Sequence, residues 1–165
     1  MPLTIRLAEL ADINIIQDLI PPIWYATYAA ILTPEQSEYM LDRMYAAPVL
    51  TEQFREGQVF LLIYEDARPV GFAAFECNYK GSTACKLHKI YLLPDMQGKG
   101  AGKLLLEDVA TRAREAGQQH LLLNVNRFNK ALGFYQSRGF SVIAEEDIDI
   151  GNGYFMNDYL MQKEL

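Results

Sequence analysis

The spacing of apolar residues changes several times along the chain, and each change predicts an element. Residues 3–7 read as a short strand. From Asp12 to about Tyr28 the pattern is helical, with Ile15, Ile16, Leu19 and Ile20 on one face and an interruption at Pro21-Pro22. Thr33-Pro34-Glu35-Gln36 reads as an N-cap followed by proline at the first helical position, and that helix turns Tyr39, Met40 and Met44 inward. A third short helix is expected over Leu50 to Arg55. After Gln58 the character changes. Val59 to Tyr64 is a strand, Glu65 to Arg68 its turn, and Pro69 to Phe75 the returning strand of a hairpin. Asn78 to Thr83 is a second turn, and Leu87 to Leu93 a further strand.

The clearest helix runs from Ala101 to Ala116, with Leu105, Val109 and Ala113 on one face and Gly117 as its stop. Leu121-Leu122-Leu123-Asn124-Val125 is a nearly continuous apolar run between two helices, as in a buried parallel strand. Phe128 to Arg138 reads as the next helix, closed by Gly139. Strands over Phe140–Ile148 and Tyr154–Gln162 then form a C-terminal hairpin. A strand–helix–strand section must cross over right-handed with its strands parallel. The expected fold class is therefore α+β, a mixed, mostly antiparallel sheet of about seven strands with helices on both faces. No repeat or linker divides the chain, so residues 1–165 are expected to form a single domain.

Composition narrows the function. The net charge is −6 and the pI about 4.9, which argues against a nucleic-acid surface built from clustered Lys and Arg. No run reaches the roughly 18 apolar residues that cross a membrane. The start shows no basic segment leading into an apolar one, so a cytoplasmic location is expected. Cys77 and Cys85 sit in strand-like surroundings and read as two reduced thiols. With His88 and His120 they lack metal-ligand spacing, so no metal is expected.

The chemistry concentrates in Gln97-Gly98-Lys99-Gly100-Ala101-Gly102-Lys103, between the end of a strand and the start of a helix. Glycines there let backbone approach a ligand, and free N–H groups at a helix start form an anion site. A nucleotide P-loop does not fit, because Gly98 and Gly102 are too close and Leu104 stands where a hydroxyl belongs. A dinucleotide fingerprint does not fit either, since Lys103 occupies its third glycine position. A kinase would also need magnesium ligands that are missing.

The remaining pattern, Gln-x-x-Gly-x-Gly at Gln97, Gly100 and Gly102, resembles the acyl-CoA loop of the GCN5-related N-acetyltransferases (GNAT). Asn129-Lys130-Ala131-Leu132-Gly133-Phe134-Tyr135, ending at Gly139-Phe140, resembles the family's second motif. One residue separates Asn129 from Ala131 where the family pattern has two. Ile90-Tyr91-Leu92-x-Pro94 is similar to the family's fourth strand, and the likeness extends over essentially the whole chain.

The resemblance implies acetyl-CoA as co-substrate and direct attack of an amine on its thioester, in a cleft where two parallel strands splay apart. It assigns the backbone of Ile90, Tyr91 and Leu92 to the pantetheine arm. The amides of Gln97, Gly98, Lys99, Gly100, Ala101, Gly102 and Lys103 go to the pyrophosphate, with Lys99 and Lys103 near the phosphates. Asn129 would bond the pantetheine or acyl end. Its side chain also suits a helix N-cap. Tyr135 is the candidate general acid for the departing thiolate, against a plain reading as a core tyrosine beside Phe128 and Leu132. His88 is the candidate base, directly or through water, against a strand histidine facing away. The acceptor is expected to be a small-molecule primary amine or a peptide. Tyr154 to Met161 resembles bacterial polyamine acetyltransferases, and Glu145, Glu146, Asp147 and Asp149 offer charge for a polycation or solubility for an edge strand. Trp24, Tyr28 and Tyr45 read as core residues that could also line an amine pocket. The resemblance leaves room for a homodimer. The alternative is a non-catalytic acyl-CoA-binding sensor, which Tyr135 and Asn129 argue against.

Overall fold

The apolar runs of the central segment belong to a sheet that is covered on both sides. The computed structural model describes residues 2–165. Among these lie strands β1 (Leu3–Leu7), β2 (Val59–Glu65), β3 (Arg68–Glu76), β4 (Ala84–Leu92), β5 (His120–Asn126), β6 (Ser141–Gly151) and β7 (Tyr154–Glu164). They form one sheet in the order β1-β2-β3-β4-β5-β7-β6. Every junction is antiparallel except β4–β5, so the chain builds the mixed sheet its pattern predicts. The five helices are α1 (Ile13–Tyr28), α2 (Pro34–Tyr45), α3 (Ala47–Arg55), α4 (Ala101–Glu115) and α5 (Leu132–Ser137).

Strand periodicity divides the apolar runs between two cores. Leu61, Ile63, Ala73 and Phe75 face α4 and α5, where they meet Leu105, Val109 and Phe140. Phe60, Leu62, Phe72 and Ala74 face the opposite way, onto Ile16, Ile20, Trp24, Met40 and Leu50 of α1, α2 and α3. A strand sandwiched this way must be apolar at every position, which is why these runs show no alternation.

Several boundaries differ from the sequence pattern, each for a physical reason. Helix α1 continues through Pro21 and Pro22. Both prolines lie on its exposed side while Ile20, Ile23 and Trp24 are buried, so packing holds the helix across two missing amide donors. Helix α3 starts earlier, with Pro48 in its first turn. Helix α5 starts later, at Leu132. The side chains of Asn126 and Asn129 accept from the amides of Phe128 (3.0 Å) and Ala131 (2.9 Å), and these local turns replace the expected helical start. Phe128 is therefore 71% exposed instead of buried beside Leu132. The last two strands reach Gly151 and Glu164 and turn through Asn152-Gly153, both at positive φ, as a two-residue hairpin favours. The hairpin tip reaches α2, where Tyr39 donates to the Ile150 carbonyl at 2.9 Å and Gln36 to that of Phe155 at 3.3 Å.

The parallel junction is short. It runs from Ala84↔His120 to Leu87↔Leu123 and stops. At that point β4 carries a bulge: Leu87 pairs with Phe75 and Lys89 with Ala74, leaving His88 unpaired. Beyond it β4 follows β3 to Leu92 and β5 follows β7 to Asn126, so a wedge opens between them.

The bulge also buries a cation. Lys89 donates to Gln53 at 2.8 Å between the rings of Tyr45 and Phe60, and burial brings its pKa down to about 8. Its folded pKa lies below the unfolded one, so the unfolded chain binds more protons between them and stability rises with pH across that window. K89M is expected to stabilise the protein at pH 7 by about 1–3 kcal/mol. Denaturant melts should show that advantage shrinking at pH 10, where Lys89 is already neutral in the fold.

Candidate active site

The wedge exposes two strand edges that have lost each other as partners. Ile90, Tyr91 and Leu92 pair with Ala73, Phe72 and Gly71 on one side only, so backbone groups on the β5 side have no strand partner. An extended amide-bearing chain fits such an edge in the manner of an added strand.

At the end of β4 a short 3₁₀ turn, Pro94–Met96, leads into the glycine loop and then into α4. Gly98 and Gly100 take φ of +76° and +77°, a left-handed conformation that a side chain strains. Gly102 packs closely: a Cβ there would lie 3.3 Å from Leu92 Cδ1 and 3.6 Å from Phe134 Cζ. The first intrahelical bond runs from the Leu104 amide to the Gly100 carbonyl. The amides of Gly98, Gly100, Ala101, Gly102 and Lys103 therefore stay free among the described residues and point out at the positive end of a 15-residue helix. The donor set suits a pyrophosphate. The two lysines of the loop differ, because Lys99 is bound to Glu65 at 3.2 Å while Lys103 is exposed.

Tyr135 comes from α5 and is buried between Phe134 and Phe140. Burial first, and nearby Tyr91 second, push its phenol well above the ordinary range, so it keeps its proton at neutral pH. Tyr91 reaches the same place from β4, and its hydroxyl lies 3.4 Å from that of Tyr28. Trp24 packs on Tyr28 with centroids 4.5 Å apart, and Tyr45 stands beside it. Trp24 Nε1 and the Tyr45 hydroxyl are buried without a hydrogen-bond partner among the described residues. These aromatic residues are core, as their spacing predicts, and they pack around Tyr91.

His88 stands at the bulge, with Nε2 2.9 Å from Glu76 Oε1 and its ring edge-on to Tyr79. Burial lowers its pKa, partly offset by Glu76, so the imidazole is neutral at pH 7. Asn129 spends its Oδ1 on the turn before α5, which leaves its amide N–H groups to donate. Two buried residues at the open end of the wedge escaped the sequence reading, Asn126 on β5 and Asp158 opposite it on β7. Their signal was the alternation of Asn124 and Asn126 within an otherwise apolar run.

On the side of α1 and α2 a groove of about 890 Å³ runs beside Tyr45. Tyr25, Tyr39 and Tyr154 line it together with Glu35, Glu38 and Asp42 of α2. Those carboxylates share one helix face and form no ion pair among the described residues. The hairpin carboxylates are spent differently. Glu145 lies 3.7 Å from Arg127, Asp147 also pairs with Arg127, and Asp149 accepts from the Gly151 amide. A smaller hollow of about 280 Å³ near Glu107, Arg138 and Lys163 holds none of the candidate residues.

Comparison with known proteins agrees with this geometry. The family model for the acetyltransferase (GNAT) domain matches residues 28–161. The chain is 26% identical to a spermidine N(1)-acetyltransferase of Thermoplasma acidophilum, across 99% of this chain and 98% of that one. It is 31% identical over 91 residues to an uncharacterized N-acetyltransferase of Methanocaldococcus jannaschii, of whose length it spans 40%. The crystal structure of the PaiA N-acetyltransferase of Thermoplasma acidophilum, in complex with coenzyme A, superposes with a TM-score of 0.84 at 25% identity, covering both chains fully. No helix among the described residues is long and apolar enough to cross a membrane. The wedge, the glycine loop at its mouth and a family match over most of the length place this chain in the GNAT acetyltransferase family.

Proposed function

We propose that this protein transfers an acetyl group from acetyl-CoA to a primary amine that carries further positive charge, with a polyamine as the model acceptor. The observation that carries the reading is the wedge itself. It has free amides and the buried Tyr135 on its α4–α5 side, and an aromatic, acidic groove lies beside Tyr45 on the α1–α2 side of the sheet. Likeness to a spermidine N(1)-acetyltransferase along nearly the whole chain supports the same choice.

In this reading the free amides of Gly98, Gly100, Ala101, Gly102 and Lys103 hold the pyrophosphate, those of Gln97 and Lys99 being bound to the Pro94 and Met96 carbonyls, and Lys103 adds charge. The free edge at Ile90, Tyr91 and Leu92 takes the pantetheine amides, and Asn129 donates to the same arm. Tyr135 delivers the proton that the departing thiolate needs. An alkyl ammonium must first lose a proton, at a cost of roughly 4–5 kcal/mol at neutral pH. His88, neutral and oriented by Glu76, receives that proton through water. Glu35, Glu38 and Asp42 attract the distal ammonium groups. Like charges four residues apart weaken a helix, so Glu38 and Asp42 stand together at a cost to α2 that a cationic ligand would relieve.

Three outcomes follow. Acetyl-CoA at a hundredfold excess over its Kd is expected to stabilise the protein by about 2.7 kcal/mol, with no comparable shift from ATP or NAD. G100V should abolish that shift in thermal melts, and equal stabilisation by NAD would reject the loop assignment. Y135F is expected to lower kcat by roughly 10²–10⁴ while leaving acetyl-CoA affinity within a few-fold. Wild-type turnover in that variant would return Tyr135 to the core. Exposed charge pairs contribute about 0–1 kcal/mol each, so E38Q/D42N should raise the spermidine KM several-fold at low salt. In 1 M salt, where the Debye length is about 3 Å, variant and wild type should converge. An unchanged KM at low salt removes the groove from the acceptor path.

A further inference from the structure

Asp158 is a buried carboxylate with too few partners. It is 5% exposed, and its Oδ1 is shut from solvent with no hydrogen bond among the described residues. Its Oδ2 accepts one long bond, 3.3 Å, from Asn124 Nδ2, and the same nitrogen lies 3.3 Å from Glu146 Oε2. Lys86 Nζ donates to Asn124 Oδ1 and forms no ion pair with either carboxylate. Arg127 is turned away: its guanidinium pairs with Glu145 and Asp147, and it meets Asp158 and Glu146 only at their backbone carbonyls. The inner cluster therefore holds two carboxylates against one ammonium. A buried structural carboxylate ordinarily has both oxygens bonded, because an unpaired one is costly.

Position gives that vacancy a direction. Asp158 lies opposite Asn126, the last residue of β5, at the open end of the wedge. Tyr91 enters the wedge from β4, its hydroxyl adjoining that of Tyr28 and its ring 6.5 Å from Trp24. An organic ammonium there would bring the missing charge, give Oδ1 an N–H donor and rest against aromatic faces that attract cations. A neutral alcohol would leave the cluster negative, and an anion would be repelled.

We propose that Asp158 seats one of the acceptor's non-reacting ammonium groups, selecting cationic amines at the mouth of the wedge; this rests on the acetyltransferase reading above. Burial raises the Asp158 pKa, with Glu146 adding to the rise and Asn124, Lys86 and Arg127 opposing it. Protonation thus competes with the cation at a pH above the ordinary carboxylate range.

The probes are spermidine and aniline, which is uncharged at neutral pH. D158N is expected to raise the spermidine KM at least tenfold, keep kcat within a few-fold, and leave the KM values of aniline and acetyl-CoA unchanged. Spermidine alone should raise the melting temperature of wild type and not of D158N, while acetyl-CoA stabilises both. In wild type the spermidine KM should rise as pH falls through the Asp158 titration; in D158N it should be flat there. K86M, which removes the opposing charge, is expected to lower the spermidine KM, an effect no structural role of Asp158 predicts. A spermidine KM in D158N equal to wild type overturns the proposal. If D158N does not fold, an unchanged or raised KM in K86M overturns it instead. Failure of the acetyltransferase reading looks different: wild type then releases no CoA with any amine and is not stabilised by acetyl-CoA.

Discussion

The structure turns on backbone hydrogen bonding that two parallel strands begin and do not finish. Strands β4 and β5 pair from Ala84 to Leu87, and the unpaired His88 then shifts the register of β4 against β3. A bulge bends its strand and strengthens its twist. Each strand then stays with its outer neighbour, β4 with β3 and β5 with β7, so the wedge is held open by sheet on both flanks. Unpaired backbone groups are costly when buried and useful when a ligand supplies the partners. The divergence therefore creates a cleft and a reason for an amide-bearing chain to enter it.

Each face of the sheet makes its own use of that opening. On one, α4 begins with amides that have no acceptor among the described residues, and α5 contributes the buried Tyr135. On the other, α1 and α2 pack Trp24, Tyr28 and Tyr45 against Tyr91 and carry a groove of tyrosines and carboxylates beside Tyr45. Tyr91 lies between them, its hydroxyl 3.4 Å from that of Tyr28. A donor and an acceptor entering from opposite faces would meet beside it without competing for space.

What was legible in the sequence was local. The glycine loop could be read because positive φ at Gly98 and Gly100 and the close packing of Gly102 are demands on single residues. The apolar runs declared a sheet covered on both sides. The bulge at His88 left no mark, because it depends on how β3 pairs with β4 and not on any residue's own preference. Helix α5 was read too long for the opposite reason: Asn126 and Asn129 bind nearby amides in a contest that helical periodicity does not record. The acidic hairpin reads from sequence as charge for a polycation or solubility for an edge strand, and the pairing of Arg127 with Glu145 and Asp147 appears only when the strands are brought together. Asp158 could not stand out, because its importance lies in the bonds it fails to make.

The tip of the last hairpin is fastened to α2 by a few side-chain contacts. Tyr39 reaches the Ile150 carbonyl, Gln36 reaches that of Phe155, and the rings of Tyr39 and Tyr154 lie 5.3 Å apart. Contacts of these kinds contribute about 0.5–1.5 kcal/mol each, against the roughly 5–15 kcal/mol that holds a whole domain together. The packing of Ile150 and Met156 at the margin of the core adds to these bonds. Because Tyr154 lines the groove, the width of the groove on that side follows from how the tip is seated.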